Sequence, residues 1–275
     1  MQGLVGKTAF VTGGASGIGL ALGRAFAEAD MKVMLADIEA DLLSAAVKSL
    51  DKFGEVRGIT CDVADPDSVD RAAQASYEAF GNVHVVCNNA GVGARGGIDK
   101  ISLDNWRWVF DVNVMGVLHG IRAFLPHMRS HGEGGHFVNT ASMAGIAAGQ
   151  FFNPYGASKH AVVSMSEGLA VQLKPFGIGV SVLCPEFVRT NIVVSERNRP
   201  MRYGPKQSIE PGSPAAAFLT QIAARVESGI DPSEVAAKVV DAIREDQLYV
   251  FTHPGMRAVV EKRFATILAA MDMAG

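Results

Sequence analysis

The sequence predicts an α/β fold: a doubly wound, seven-stranded parallel sheet with helices on both faces. Three observations lead there. Short apolar runs alternate with longer segments of helical periodicity along most of the 275 residues, the pattern of strands joined by crossover helices. The runs are nearly continuous in hydrophobicity instead of alternating, as strands covered on both faces are. The first run ends in a glycine-rich turn, Thr12-Gly13-Gly14-Ala15-Ser16-Gly17-Ile18-Gly19, that opens a helical pattern. A chain of this length can bury one large core, and a single domain spanning residues 1–275 is expected.

The strands are expected at residues 8–12, 32–37, 56–61, 83–88, 136–141, 180–184 and 248–251, and the helices at 17–29, 39–50, 66–80, 104–129, 154–176 and 232–245. Asp65-Pro66 and Asp231-Pro232 read as an N-cap followed by a first-turn proline. The compositional break comes after the sixth strand, over about residues 186–230, rich in Pro, Gly and Arg. An open α/β sheet places a substrate loop at such a position. The tail, about residues 253–275, contains a stretch suited to an amphipathic helix, expected as a lid or a subunit contact.

Bulk properties exclude several functions. A net charge of −3 without a basic tail gives no reason to expect nucleic acid. No apolar stretch reaches the roughly 20 residues of a membrane span, and the first apolar run is too short for a secretory core. Cys61, Cys87 and Cys184 are scattered and odd in number, which suits buried reduced thiols and not a disulfide framework or zinc site. The expectation is a soluble cytoplasmic protein with no membrane or metal partner. His127 and His131 stand four apart, but with Gly132 next they suit capping of helix-end carbonyls better than metal binding. Arg189, Arg197, Arg199 and Arg202 read as a solvated loop or as an attractant for an anionic substrate.

The glycine turn carries the first chemistry. Glycines let the backbone approach a diphosphate, and the helix N-terminus offers free N–H groups and partial positive charge. Asp37 ends the second strand, eighteen residues past Gly19. A carboxylate there accepts hydrogen bonds from adenosine ribose hydroxyls and repels a 2′-phosphate. Ile38 and Ser16 offer no cation for that phosphate. The cofactor expected is NAD, with NADP possible. Asp62-Val63 and Asn88-Asn89-Ala90-Gly91 end the third and fourth strands, at the same edge of the sheet. Asp62 is placed to meet the adenine amino group, and the asparagines serve binding or architecture.

Tyr155 and Lys159 stand four residues apart after Asn153-Pro154, a proline position that suits the opening turn of a helix. Residues i and i+4 share a helix face. Ser142 lies thirteen residues upstream of Tyr155, at the end of an apolar run.

Taken together, the TGxxxGxG turn, acidic Asp37, Asp62-Val63, the NNAG segment, Asn113, Ser142 and the YxxxK pair resemble the short-chain dehydrogenase/reductase family. So does Thr190, five residues past Pro185. The resemblance covers about residues 6–190 and implies a Rossmann-like fold, hydride transfer between a nicotinamide and a carbonyl or secondary alcohol, and a dimer or tetramer. It implies catalytic roles for Asn113, Ser142, Tyr155 and Lys159. Tyr155 is the general acid/base; a free phenol titrates near pH 10, so Lys159 must favour its ionised form. Ser142 holds the substrate oxygen, Lys159 reaches the nicotinamide ribose, and Asn113 resembles the residue holding a relay water. Cofactor contacts are implied for Gly13, Ser16, Gly17, Ile18 and Gly19, for Asp37, Asp62 and Val63, for Asn89, Ala90 and Gly91, and for Tyr155, Lys159, Pro185, Val188 and Thr190. Where the family has Pro-Gly after the sixth strand, this chain has Pro185-Glu186, and Glu186 contacts a polar substrate group or points into water.

Met143, Phe151, Phe152 and Phe187 flank the catalytic residues in sequence. Together with Ser142 and Glu186, Met143, Phe152 and Phe187 are the expected substrate contacts. Apolar walls favour a bulky hydrophobic alcohol or ketone, although core packing explains each residue singly as well. The leading reading is an NAD-dependent oxidoreductase acting on such a substrate. A 3-oxoacyl-thioester reductase and a non-catalytic dinucleotide-binding sensor are the alternatives.

Overall fold

A computed structural model describes residues 1, 3–94, 97–147, 149, 153–206 and 209–273. Phe151 and Phe152 lie outside the described residues. Seven strands, β1 (Thr8–Thr12), β2 (Lys32–Asp37), β3 (Val56–Thr60), β4 (Val85–Asn88), β5 (Gly135–Thr140), β6 (Ile178–Cys184) and β7 (Tyr249–Phe251), form one sheet in the order β3-β2-β1-β4-β5-β6-β7. Every pairing is parallel; Val11, for example, stands opposite Leu35 on one side and Cys87 on the other. Chain order reverses between β1 and β4, and a crevice opens beyond their carboxyl ends at such a switch.

Helices cover both faces. One core joins Phe10, Phe137 and Val182 to buried side chains of α3 (Pro66–Phe80), α4 (Leu103–Phe110), α5 (Gly116–His131) and α6 (Asn153–Leu173). The other joins Val11, Leu35 and Val138 to α1 (Gly17–Glu28), α2 (Ala40–Leu50) and, from further along the chain, a helix over Pro232–Glu245. The expected caps are present. Asp65 accepts from the N–H of Asp67 ahead of Pro66, and Asp231 forms a reciprocal capping box with Glu234. The three cysteines are free and buried.

Some boundaries differ from the sequence reading. The segment read as one helix over residues 104–129 is α4 and α5 joined by a π-turn, Asp111–Met115. The periodicity misses it because the apolar stripe runs on through the extra residue. The run Leu103–His131 is also long and apolar enough by length and composition to cross a membrane, against the earlier expectation. Burial of Trp108, Val109, Val117, Ile121, Phe124 and Met128 in the core accounts for its apolar character. Val83 is buried but precedes β4, so hydrophobicity marked burial there and not ladder pairing. The helix predicted over residues 154–176 stops at Leu173, where Lys174–Phe176 tightens into a 3₁₀ turn with Pro175 inside it. The substrate loop holds 3₁₀ turns at Asn191–Asn198 and Met201–Tyr203 and a helix the sequence did not suggest, α7 (Pro214–Glu227); α8 (Pro232–Glu245) follows. The tail forms α9 (Arg257–Asp272), none of whose residues is buried.

Candidate active site

The glycine turn joins β1 to α1 with Gly13 and Gly17 at φ of +65° and +54°, conformations that L side chains rarely adopt. A methyl group at Gly19 would overlap the Gly13 carbonyl oxygen. Gly19 is therefore buried, drawing the start of the helix onto the turn. Ser16, the N-cap of α1, makes no side-chain capping bond, and the first turn holds no acidic residue. Its N–H groups therefore meet neither a capping oxygen nor a carboxylate, which suits a diphosphate.

Thr12 locks the turn to β4. Its hydroxyl accepts from the N–H of Asn89 (2.9 Å) and of Ala90 (3.0 Å) and donates to the Cys87 carbonyl. Asn89 donates to the Thr12 carbonyl and accepts from Thr140, while Asn88 donates to Asn139 on β5. Both asparagine side chains thus brace three strand ends beneath the crevice. Asp37 is held as well: Oδ2 accepts from the Ala15 N–H (2.9 Å) and Oδ1 from the Glu39 N–H (3.0 Å).

The carboxyl end of β5 delivers Ser142, and α6 delivers Tyr155 and Lys159 on one face. All three line a single cavity with Gly13, Gly17, Asp37 and Ala90. Lys159 is buried and donates 2.7 Å to the Thr140 carbonyl, with its Nζ 5.6 Å from the centre of the Tyr155 ring. Burial pulls its pKa down to about 8, because the charged form loses hydration. Ser142 Oγ accepts from the Ala144 N–H and donates to the Pro185 carbonyl.

Asn113 lies in the π-turn, fully buried behind the cavity. Its Nδ2 donates to the Val92 carbonyl and Ser158 Oγ, and its Oδ1 accepts from the Val92 N–H. Ser158 in turn donates to the Tyr155 carbonyl. With both amide protons engaged, the side chain pins the π-turn to the start of α6.

The sequence profile of the short chain dehydrogenases matches residues 7–200. The chain belongs to the short-chain dehydrogenase/reductase family. Among its solved relatives is a short-chain dehydrogenase/reductase from Burkholderia phymatum in complex with NAD, with 41% sequence identity and a TM-score of 0.94; the match covers 98% of this chain and 97% of that one. A Cα-dehydrogenase from Sphingobium sp. strain SYK-6 is 33% identical, over 95% of this chain and 85% of its own length. A 1-deoxy-11β-hydroxypentalenate dehydrogenase from Streptomyces exfoliatus is 33% identical, over 94% and 87%.

In this short-chain dehydrogenase the cavity gathers most of the residues singled out by sequence. Ser16, Ile18, Asp62, Val63, Asn89, Gly91, Pro185, Glu186, Val188 and Thr190 all line it. Gly19, Asn113, Met143 and Phe187 do not. Met143 turns inward and packs in the core, 5% exposed, and the Phe187 ring lies under the Arg225 guanidinium at 5.4 Å. Sequence adjacency to Ser142 and Glu186 misled here, because Met143 opens a 3₁₀ turn and Phe187 lies in a bend, where neighbouring side chains need not share a direction. His127 and His131 bond Asn82 and the Val83 carbonyl, and the described residues hold no metal-binding cluster of His, Cys, Asp and Glu.

Further walls include residues from two places. Trp108 and Val112 reach the cavity from α4 and the π-turn, and Ile192, Arg197, Pro200 and Arg202 reach it from the loop after β6. Arg197 grips Glu39 with two bonds, at 3.0 and 2.6 Å, and Arg202 meets Asp62 at 2.7 Å. The hydrogen-bonded Arg197 holds the Glu39 carboxyl below the usual carboxylate range. The loop is thereby tied to the ends of β2 and β3, across the end of the cavity assigned to adenosine.

Proposed function

We propose that the protein transfers a hydride between NAD(H) and a bulky, apolar secondary alcohol or ketone. One observation carries this reading: Ser142, Tyr155 and Lys159 line the same cavity as an uncapped, glycine-lined helix start. A nicotinamide dinucleotide, when bound, supplies the two-electron acceptor or donor. Gly13, Ser16, Gly17 and Ile18 would hold its diphosphate through backbone N–H groups. Asp37, oriented by two backbone donors, would accept from the adenosine ribose hydroxyls and disfavour a 2′-phosphate, the basis for preferring NAD. Asp62 and Val63 would flank the adenine, with the Asp62 carboxylate already engaged by Arg202. Asn89, Ala90 and Gly91 would floor the site, and Pro185, Val188 and Thr190 would frame the nicotinamide end.

The protein's own groups move the proton. Tyr155 Oη gives or takes it at the substrate oxygen. The Lys159 ammonium, one helical turn away, favours the phenolate and offers donors to the nicotinamide ribose. Ser142 Oγ holds the substrate oxygen against Tyr155. Asn113 positions this pair from behind by fixing the π-turn and the first turn of α6. Val92, Trp108, Val112, Ile192, Pro200 and Val226 give the cavity apolar walls that suit a bulky substrate; the hydroxypentalenate named for one relative agrees in kind. A cytoplasmic homodimer or homotetramer is part of the same reading.

The test is absorbance at 340 nm with NAD or NADP and a panel of secondary alcohols. Turnover with NAD at a kcat/KM about tenfold or more above NADP is expected. Tight binding of NAD without turnover across the panel would favour a sensor instead.

A further inference from the structure

Seven charged side chains line the cavity: Asp37, Glu39, Asp62, Lys159, Glu186, Arg197 and Arg202. Six have partners. Asp37 accepts two backbone N–H groups, Arg197 and Arg202 take Glu39 and Asp62, and Lys159 donates to the Thr140 carbonyl. Glu186 is half-buried, and its carboxylate meets no donor among the described residues. Its backbone, by contrast, is fixed. The Glu186 N–H donates to Thr252 Oγ1, and the preceding Pro185 carbonyl accepts from the Met143 N–H (2.9 Å) and from Ser142 Oγ. The carboxylate therefore hangs from a rigid strand end that is hydrogen-bonded to the active-site serine itself.

Without a protein donor, the two carboxylate oxygens are left to water or to a bound molecule. An acceptor on a fixed backbone, lining the same cavity as Ser142 and Tyr155, is a selectivity device. We infer that Glu186 selects substrates carrying a second hydrogen-bond donor, a hydroxyl or an ammonium, close to the carbinol carbon. This rests on the dehydrogenase reading above. The same carboxylate disfavours substrates with a carboxylate at that place, by like-charge repulsion. Sites built to bond a substrate donor reject the analogue lacking it far more strongly than apolar pockets reject a missing methylene.

The test compares matched aryl alcohols: 1-phenylethanol, 1-phenyl-1,2-ethanediol and 2-amino-1-phenylethanol, each with NAD, in wild type, Glu186→Gln and Glu186→Gly. The wild type should favour the diol and the amino alcohol over 1-phenylethanol in kcat/KM. Glu186→Gly should lower both ratios at least about tenfold, the scale of a hydrogen bond to a charged group. Glu186→Gln should keep part of the diol preference and lose the ammonium preference, which separates the two donors. Ratios unchanged in both variants, with turnover intact, overturn the role of Glu186 and leave the dehydrogenase reading standing. Absence of turnover of every alcohol by the wild type overturns both.

Discussion

In the proposed mechanism Tyr155, Ser142 and Lys159 divide the proton chemistry among three side chains, and each would have a distinct signature. Tyr155→Phe removes one oxygen atom and leaves the cofactor groove intact. Turnover is expected to fall about 10²–10⁴-fold, the range for positioned acid–base groups, while NADH binding, followed by fluorescence, stays within a few-fold. A variant that keeps its rate would take the phenol out of the reaction. Lys159 gives a pH prediction. Its native pKa of about 8 lies below the ordinary 10.5, so between these values the unfolded chain binds more protons than the native one. Stability of the cofactor-free protein therefore rises as pH climbs through that window, by on the order of 3 kcal/mol at most. The gap in Tm between wild type and Lys159→Met should shift in favour of wild type from pH 8 to 10.5; a gap independent of pH would refute a buried ammonium. The sequence spacing of these three residues anticipated that they would line one cavity. Met143 was not legible, because a 3₁₀ turn just after Ser142 decides which way it points.

At the scale of elements, the turn from β1 into α1 and the π-turn between α4 and α5 carry the site. Gly19→Ala forces a methyl onto the Gly13 carbonyl, so the helix start must move off the turn. NAD affinity should fall at least about tenfold, or about 1.4 kcal/mol, with the far-ultraviolet spectrum little changed; unaltered affinity by calorimetry would show that the turn tolerates the shift. Asn113→Ala leaves the Val92 N–H and carbonyl without their partner. Since a buried group stranded in this way costs about 1–3 kcal/mol, both Tm and kcat should drop, and a variant with native Tm would deny Asn113 its positioning role. The glycine turn was readable from residue types alone. For the π-turn the only signal was an asparagine inside an otherwise good helix, where its propensity is poor. The extra residue itself leaves no mark in an unbroken apolar stripe.

The architecture of the whole molecule was the most legible part, since near-continuous apolar strands and intervening helices leave few alternatives to a doubly wound sheet. What escaped were contacts between segments remote in sequence. Arg197 and Glu39 are 158 residues apart and Arg202 and Asp62 are 140 apart, and nothing local in either stretch announces the pairing. The tail was read as a helix, and α9 forms with Phe264, Ile267, Leu268 and Met271 exposed. Light scattering is expected to give a dimer or tetramer, and a monomer at micromolar concentration would count against assembly.

The two arginine clasps tie residues 191–203 across the end of the cavity where the proposed function seats the coenzyme's adenosine. On that reading, both charge pairs must part before the coenzyme escapes. Arg197→Ala with Arg202→Ala should therefore speed NADH dissociation in stopped-flow traces, as should added salt. If escape of the coenzyme sets the pace, ionic strength becomes a throttle on turnover, and the enzyme would run faster in brine than in dilute buffer.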